Sequence, residues 1–175
     1  MSNKHVGILR KSVLQLGRTF RPPLYRPEVD ADFDFLGSEY GGWPVLRGSL
    51  TPESLVYSFG IGDDISFDLE VIDRFGCTVR AFDPTPRCLE WLRAANTPAA
   101  FDFHPVGLSN KTQVLRFSAP PSHNHVSYTV GVRDLETDVV SLPVKALDEL
   151  VTEAGDHGKT IDLLKMDIES AEYYV

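Results

Sequence analysis

From Leu55 onward the chain alternates short, almost wholly apolar runs with segments whose apolar residues recur every three or four positions. Leu55–Phe59, Thr78–Phe82 and residues 101–106 have the length and aromatic or β-branched content of buried strands. Residues 65–75 are helical in spacing: Ile65, Leu69 and Ile72 fall at i, i+4 and i+7, Val71 and Phe75 extend the face, and Gly76 follows as a left-handed cap. Thr85 ahead of Pro86 is an N-cap before a proline at the first helical position, and Leu89 and Leu92 then point inward, so residues 86–95 read as a second helix. Residues 114–117 and 139–144 read as further extended pieces, 147–154 as a short helix, and 161–167 as a buried strand ending in an acid. The alternation predicts an α/β fold with a parallel sheet covered by helices.

The preceding residues have a different texture. Residues 21–50 are rich in Pro, Gly, acids and scattered aromatics without a sustained period, and read as an irregular lead-in. In residues 1–20, Val6, Leu9, Val13 and Leu16 form one helical stripe. Residues 1–26 also carry Lys4, Arg10, Lys11, Arg18, Arg21 and Arg26 and no acid, so the head reads as a basic amphipathic helix or an organelle-targeting segment. A cytoplasmic protein is the expectation, with organelle targeting as the alternative.

Composition narrows the partners. The chain has 175 residues, 42% hydrophobic, and a net charge of −8 that conceals a strongly acidic body behind the basic head. An acidic body repels nucleic-acid backbone, so nucleic acid is excluded as a partner. No window approaches the run of about 18 apolar residues of a membrane-spanning helix. Cys77 and Cys88 have no CxxC spacing and read as buried free thiols. His123 and His125 alternate along the chain, but two such residues do not complete a tetrahedral metal site, and they read as loop histidines.

The densest chemical signal is Val56-Tyr57-Ser58-Phe59-Gly60-Ile61-Gly62-Asp63-Asp64, a strand entering Gly-x-Gly and then a helix. Glycines there let backbone approach a ligand, and the helix start offers free N–H groups. Asp83 ends the next strand 21 residues after Gly62, where a carboxylate accepts hydrogen bonds from ribose hydroxyls. The dinucleotide fingerprint needs a third glycine where this chain has Ile65, which makes NAD the minority reading.

With Ala81-Phe82-Asp83-Pro84-Thr85-Pro86, Val106-Gly107-Leu108 and Leu163-Leu164-Lys165-Met166-Asp167-Ile168-Glu169-Ser170-Ala171-Glu172 added in order, residues 36–175 resemble the FkbM family of S-adenosylmethionine-dependent methyltransferases. The likeness is closest to the family's methyltransferase-like branch, which carries a tract similar to Gly37-Ser38-Glu39-Tyr40-Gly41-Gly42-Trp43. The resemblance implies a Rossmann-like class I methyltransferase sheet with helices on both faces over residues 51–175. It also implies that S-adenosyl-L-methionine is the cofactor and that a methyl group goes to an oxygen of a small-molecule or glycan acceptor.

By the same resemblance Gly60 and Gly62 border the methionine part of the cofactor, Asp83 holds its ribose and Asp167 faces the transferred methyl; Ser58 joins them as a cofactor-binding candidate, Asp167 is the candidate catalytic base, and Glu169 and Glu172 are candidates for an acidic cluster toward the substrate. Ser58 stands where most class I methyltransferases have an acid, Asp64 where many have glycine, and Ser170 where the family's run has glycine. The three carboxylates at 167, 169 and 172 are also compatible with a magnesium site or with helix capping, and no metal is assigned. A class I domain adds three further strands beyond this point, so the chain reads as truncated after the fourth strand. Its exposed edge would favour self-association. The alternative function is a non-catalytic nucleoside-cofactor-binding or interaction module of the same fold.

Overall fold

The computed structural model of the chain describes residues 30–118, 129–130, 139–168, 172 and 175. The chain divides into a leading unit, residues 1–32, and a body, Phe33–Val175. Only residues 30–32 of the leading unit are described, and they are exposed, so the basic head predicted over 1–20 lies outside the described residues.

The body is mixed α/β. Its central sheet holds β3 (Leu55–Phe59), β4 (Thr78–Phe82), β5 (Phe101–His104) and β10 (Leu163–Met166) in the order β10-β3-β4-β5, every pair parallel. All five residues of β3 are buried, as expected of a parallel strand covered on both faces. Alternation along the strands decides which residues meet which helix. Val56 and Val79 face Phe67 and Val71 of α1 (Ser66–Phe75). Ala81 and Phe101 face Cys88 and Leu92 of α2 (Pro86–Leu92). Leu55, Tyr57 and Phe59 point the other way, toward Leu147, Leu150 and Val151 of α3 (Leu147–Glu153). Gly76 ends α1 at φ 73°, its amide on the Ile72 carbonyl at 2.8 Å, and Thr85 caps α2 through the Cys88 amide.

Two features lie beyond the elements that the apolar pattern predicts. Within the stretch read as irregular, β1 (Phe33–Leu36) and β2 (Trp43–Leu46) form an antiparallel hairpin whose Leu36 and Val45 enter the core beside Val56 and Phe67. Each strand is four residues long and buries a single residue fully, too little to establish a period. The extended pieces after β5 assemble into a second sheet, β6 (Gly107–Leu108), β9 (Val139–Lys145), β7 (Gln113–Ser118) and β8 (Thr129–Val130), in that order. Among the described residues β10 pairs with β3 alone, and no helix is long and apolar enough to cross a membrane.

The α3 face carries a buried polar network. Tyr57, Arg80 and Asp102 stand in register on β3, β4 and β5. The Arg80 guanidinium donates to both oxygens of fully buried Asp156 at 2.9 and 3.2 Å and pairs with Asp102. Tyr57 Oη and Lys159 Nζ also donate to Asp156, at 3.0 and 2.7 Å. Burial alone would raise the Asp156 carboxyl, but the hydrogen bonds from Arg80, Lys159 and Tyr57 outweigh it and lower the value from 3.8 to about 2.

Because the folded carboxyl has the lower pKa, this contribution is present above about pH 4 and is lost as the pH falls toward 2, an effect of about 2 kcal/mol. Replacing Arg80 by Met leaves the Asp156 charge buried without its fork and is expected to destabilise by about 3–5 kcal/mol at neutral pH in urea unfolding. The variant should also show a flatter acid limb; a loss under about 1 kcal/mol would contradict this role.

Candidate functional site

The strand order dictates where a ligand site forms. The chain runs outward from β3 through β4 to β5, then returns to place β10 on the opposite side of β3, so the winding direction reverses between β3 and β10. At such a switch point the loops leaving the carboxyl ends diverge and open a crevice. A cavity of about 230 Å³ lies there.

The turn after β3 forms its floor. Gly60 (φ 73°) and Gly62 (φ 58°) both adopt left-handed backbone. The Gly60 amide donates to the Phe82 carbonyl at 2.9 Å, and its carbonyl accepts from Lys165 Nζ at 2.7 Å. A Cβ at Gly60 would overlap the Asp167 carbonyl oxygen, whereas nothing lies within 4 Å of where a Cβ at Gly62 would sit. Gly60 therefore permits the close approach of β3 to β10, and Gly62 leaves open space on the cavity wall.

Asp83, 4% exposed at the end of β4, faces this turn. Its Oδ2 accepts from the Gly62 amide at 3.0 Å and its Oδ1 from the Thr85 amide and hydroxyl at 2.8 and 2.5 Å. The carboxylate is thus held in one orientation with acceptor capacity left over. Asp167 follows β10, its amide on the Phe59 carbonyl at 3.0 Å. Phe59, Phe82, Leu108, Phe117 and Val144 supply the apolar part of the wall, and Asp63, Asp64, Asp83 and Asp167 the acidic part.

Lys165 is the cationic group on that wall and is 8% exposed. Burial lowers its pKa, opposed by Asp68, Asp167, Asp83 and Asp64 around it. It stands in register with Ser58 on β3, and Asp68 of α1, 1% exposed, faces both. Burial pushes Asp68 up from 3.8 to about 6, against the pull of the Ser58 hydroxyl and the Lys165 charge.

Of the residues singled out from sequence, Gly60, Gly62, Asp83 and Asp167 converge on the cavity. Ser58 is completely buried on β3, away from the cavity lining. Glu172 turns its Oε1 to the Ile168 amide at 2.9 Å rather than to the cavity. Glu169, Ser170, His123 and His125 lie outside the described residues. Sequence reasoning assigned no role to Lys165, Tyr40 and Trp43, which also border the cavity. A basic residue inside the apolar strand Leu163–Met166 was the available signal for Lys165.

The family model described as the methyltransferase FkbM domain matches residues 49–175. No curated protein and no solved structure matches the chain.

The two glycines predict a contrast. Gly62→Ala meets only left-handed strain and should lose about 1–2 kcal/mol in equilibrium unfolding. Gly60→Ala adds the overlap with Asp167 and should lose about 3 kcal/mol or more, so equal losses would contradict the close approach. For Asp68 the folded pKa is raised, so its ionisation above about pH 6 opposes folding and the penalty vanishes below about pH 4. Asp68→Asn, with Asp64, Asp83 and Asp167 still around Lys165, should be more stable than the parent at pH 8 by about 2–3 kcal/mol and equal to it near pH 4. A variant less stable at pH 8 would show that the Asp68 charge is needed.

Proposed function

The chain belongs to the methyltransferase FkbM domain family, and on that premise we propose that its cavity binds S-adenosyl-L-methionine and that the protein methylates an oxygen of a small-molecule or glycan acceptor. The observation that carries this reading is the convergence of the 60–62 turn, Asp83 and Asp167 at the switch point between β3 and β10. The parallel order β10-β3-β4-β5 with helices on both faces supports a Rossmann-like domain. The residues suit the cofactor: a Cβ at Gly62 would occupy open space on the wall, and a predominantly acidic lining favours a ligand with net positive charge.

When bound, the cofactor supplies a methyl group activated by its sulfonium. The protein's part is chiefly to hold the reacting groups in line. Asp83, already fixed by Gly62 and Thr85, accepts hydrogen bonds from the ribose hydroxyls. The backbone at 60–62 cradles the methionine portion, and the apolar wall with Phe117 and Val144 excludes water. Asp167, at the end of β10, takes the proton released by the acceptor hydroxyl.

Calorimetric titration of the chain with S-adenosylhomocysteine and, separately, with NAD tests the cofactor assignment. Binding of the first without the second is expected, and the reverse would overturn the reading. Asp83→Ala should weaken S-adenosylhomocysteine about tenfold or more, the scale of hydrogen bonds to a charged group. Unchanged affinity in a variant with the parent's circular dichroism would remove Asp83 from the site.

A further inference from the structure

Lys165 puts an ammonium into an otherwise apolar strand, between Leu164 and Met166, and among the described residues it is the one basic side chain on the cavity wall. Taking such a charge out of water is costly unless it is paired and hydrogen-bonded. Its Nζ is fixed from two sides, donating to the Gly60 carbonyl at 2.7 Å and lying 5.9 Å from the Trp43 ring centroid. Gly60 in turn packs so closely on the Asp167 carbonyl that no Cβ fits, and the Asp167 amide donates to the Phe59 carbonyl at 3.0 Å. Side chain and main chain together lock the end of β10 to the turn after β3.

Four carboxylates share the wall, and like charges in one crevice raise one another's affinity for protons. Three of them have donors from nearby loops and helix starts. Asp63 accepts from Arg87 Nη2 at 3.1 Å, Asp64 from the Ser38 hydroxyl and the Ser66 amide at 2.5 and 2.9 Å, and Asp83 from the Gly62 and Thr85 amides at 3.0 and 2.8 Å. Asp167 is the fourth. It follows Lys165 by two residues, and alternation along β10, continued by the bond to Phe59, puts both side chains on one face. The charges facing the ammonium are Asp68 from α1, Asp167 from β10, Asp83 from the end of β4 and Asp64 from the turn. Asp68 lies behind the wall, beside Ser58, and does not line the cavity.

We propose that Lys165 is the positioning residue for Asp167: its ammonium pins the Gly60 turn against that carboxylate and is the counter-charge that keeps it ionised among the other acids. The proposal rests on the reading of Asp167 as the group that takes the acceptor's proton, and it deepens that reading. A base must be unprotonated before the acceptor arrives, and an acidic wall without a cation works against that.

The test is a carbon-13 pH titration of the Asp167 side-chain carboxyl in the labelled full chain, for the parent, Lys165→Met, Lys165→Gln and Lys165→Arg. The Asp156 resonance on the opposite face and the melting temperature serve as fold checks. In Lys165→Met and Lys165→Gln the Asp167 midpoint should rise by about one pH unit or more, the scale of losing a nearby opposite charge, and in Lys165→Arg by less than about 0.3 unit. Lys165→Gln keeps a donor for the Gly60 carbonyl and carries the test if Lys165→Met fails to fold. A midpoint equal in all four chains, or raised as much by arginine as by the neutral residues, overturns the role of Lys165. S-adenosylhomocysteine added to the parent tests the reading beneath it. The Asp167 resonance should move saturably; if the ligand leaves it unmoved, Asp167 is outside the site and the proposal falls with that reading.

Discussion

The carboxyl ends of β3 and β10 meet so closely that only a glycine fits between them. At Gly60 the backbone turns through positive φ against the Asp167 carbonyl, donates to Phe82 on β4 and accepts from Lys165 on β10. One residue thus ties three neighbouring strands at the point where the sheet reverses its winding. The approach brings Asp167 to one side of the turn and leaves Asp83 to hold Gly62 on the other. Two carboxylates from strands separated by many residues become walls of one crevice for that reason.

Around this point polar groups are buried in pairs that offset one another. Lys165 sits among Asp68, Asp64, Asp83 and Asp167 on the face toward α1, and Arg80 among Asp156 and Asp102 on the face toward α3. The two networks behave differently. Asp156 has four donated hydrogen bonds and is driven strongly acidic, so its network fastens strands to the end of α3. Asp68 is governed by desolvation and stays easier to protonate, so the α1 side retains electrostatic strain beside the cavity. Buried charge without full compensation is commoner at ligand sites than in scaffolding.

How much of this is legible in the sequence depends on the length of each element. β3, β4, α1 and α2 were legible because their apolar runs or 3.6-residue spacing are uninterrupted and their ends carry Gly76, Thr85 and Pro86. The β1–β2 hairpin was hidden because Asp34 and Pro44 interrupt four-residue strands in which Leu36 and Val45 carry the core contact. The second sheet was hidden by pieces as short as Gly107–Leu108. Within the site, Gly60, Gly62, Asp83 and Asp167 could be read because each lies just past a strand end or in the turn that follows one. Lys165 lies within a strand, and Tyr40 and Trp43 border the cavity beside a loop that Ser38 ties to Asp64, a tertiary contact that no local spacing encodes.

The central claim is that one crevice, at the ends of β3 and β10, holds an adenosyl cofactor. The most direct measurement is the amide chemical-shift map of the isotope-labelled chain titrated with S-adenosylhomocysteine. The account predicts that the largest saturable shifts fall on Gly60, Gly62, Asp83, Thr85 and Leu108, with Arg80 and its network unmoved. Shifts centred elsewhere, or a spectrum unchanged at saturating ligand, would contradict it.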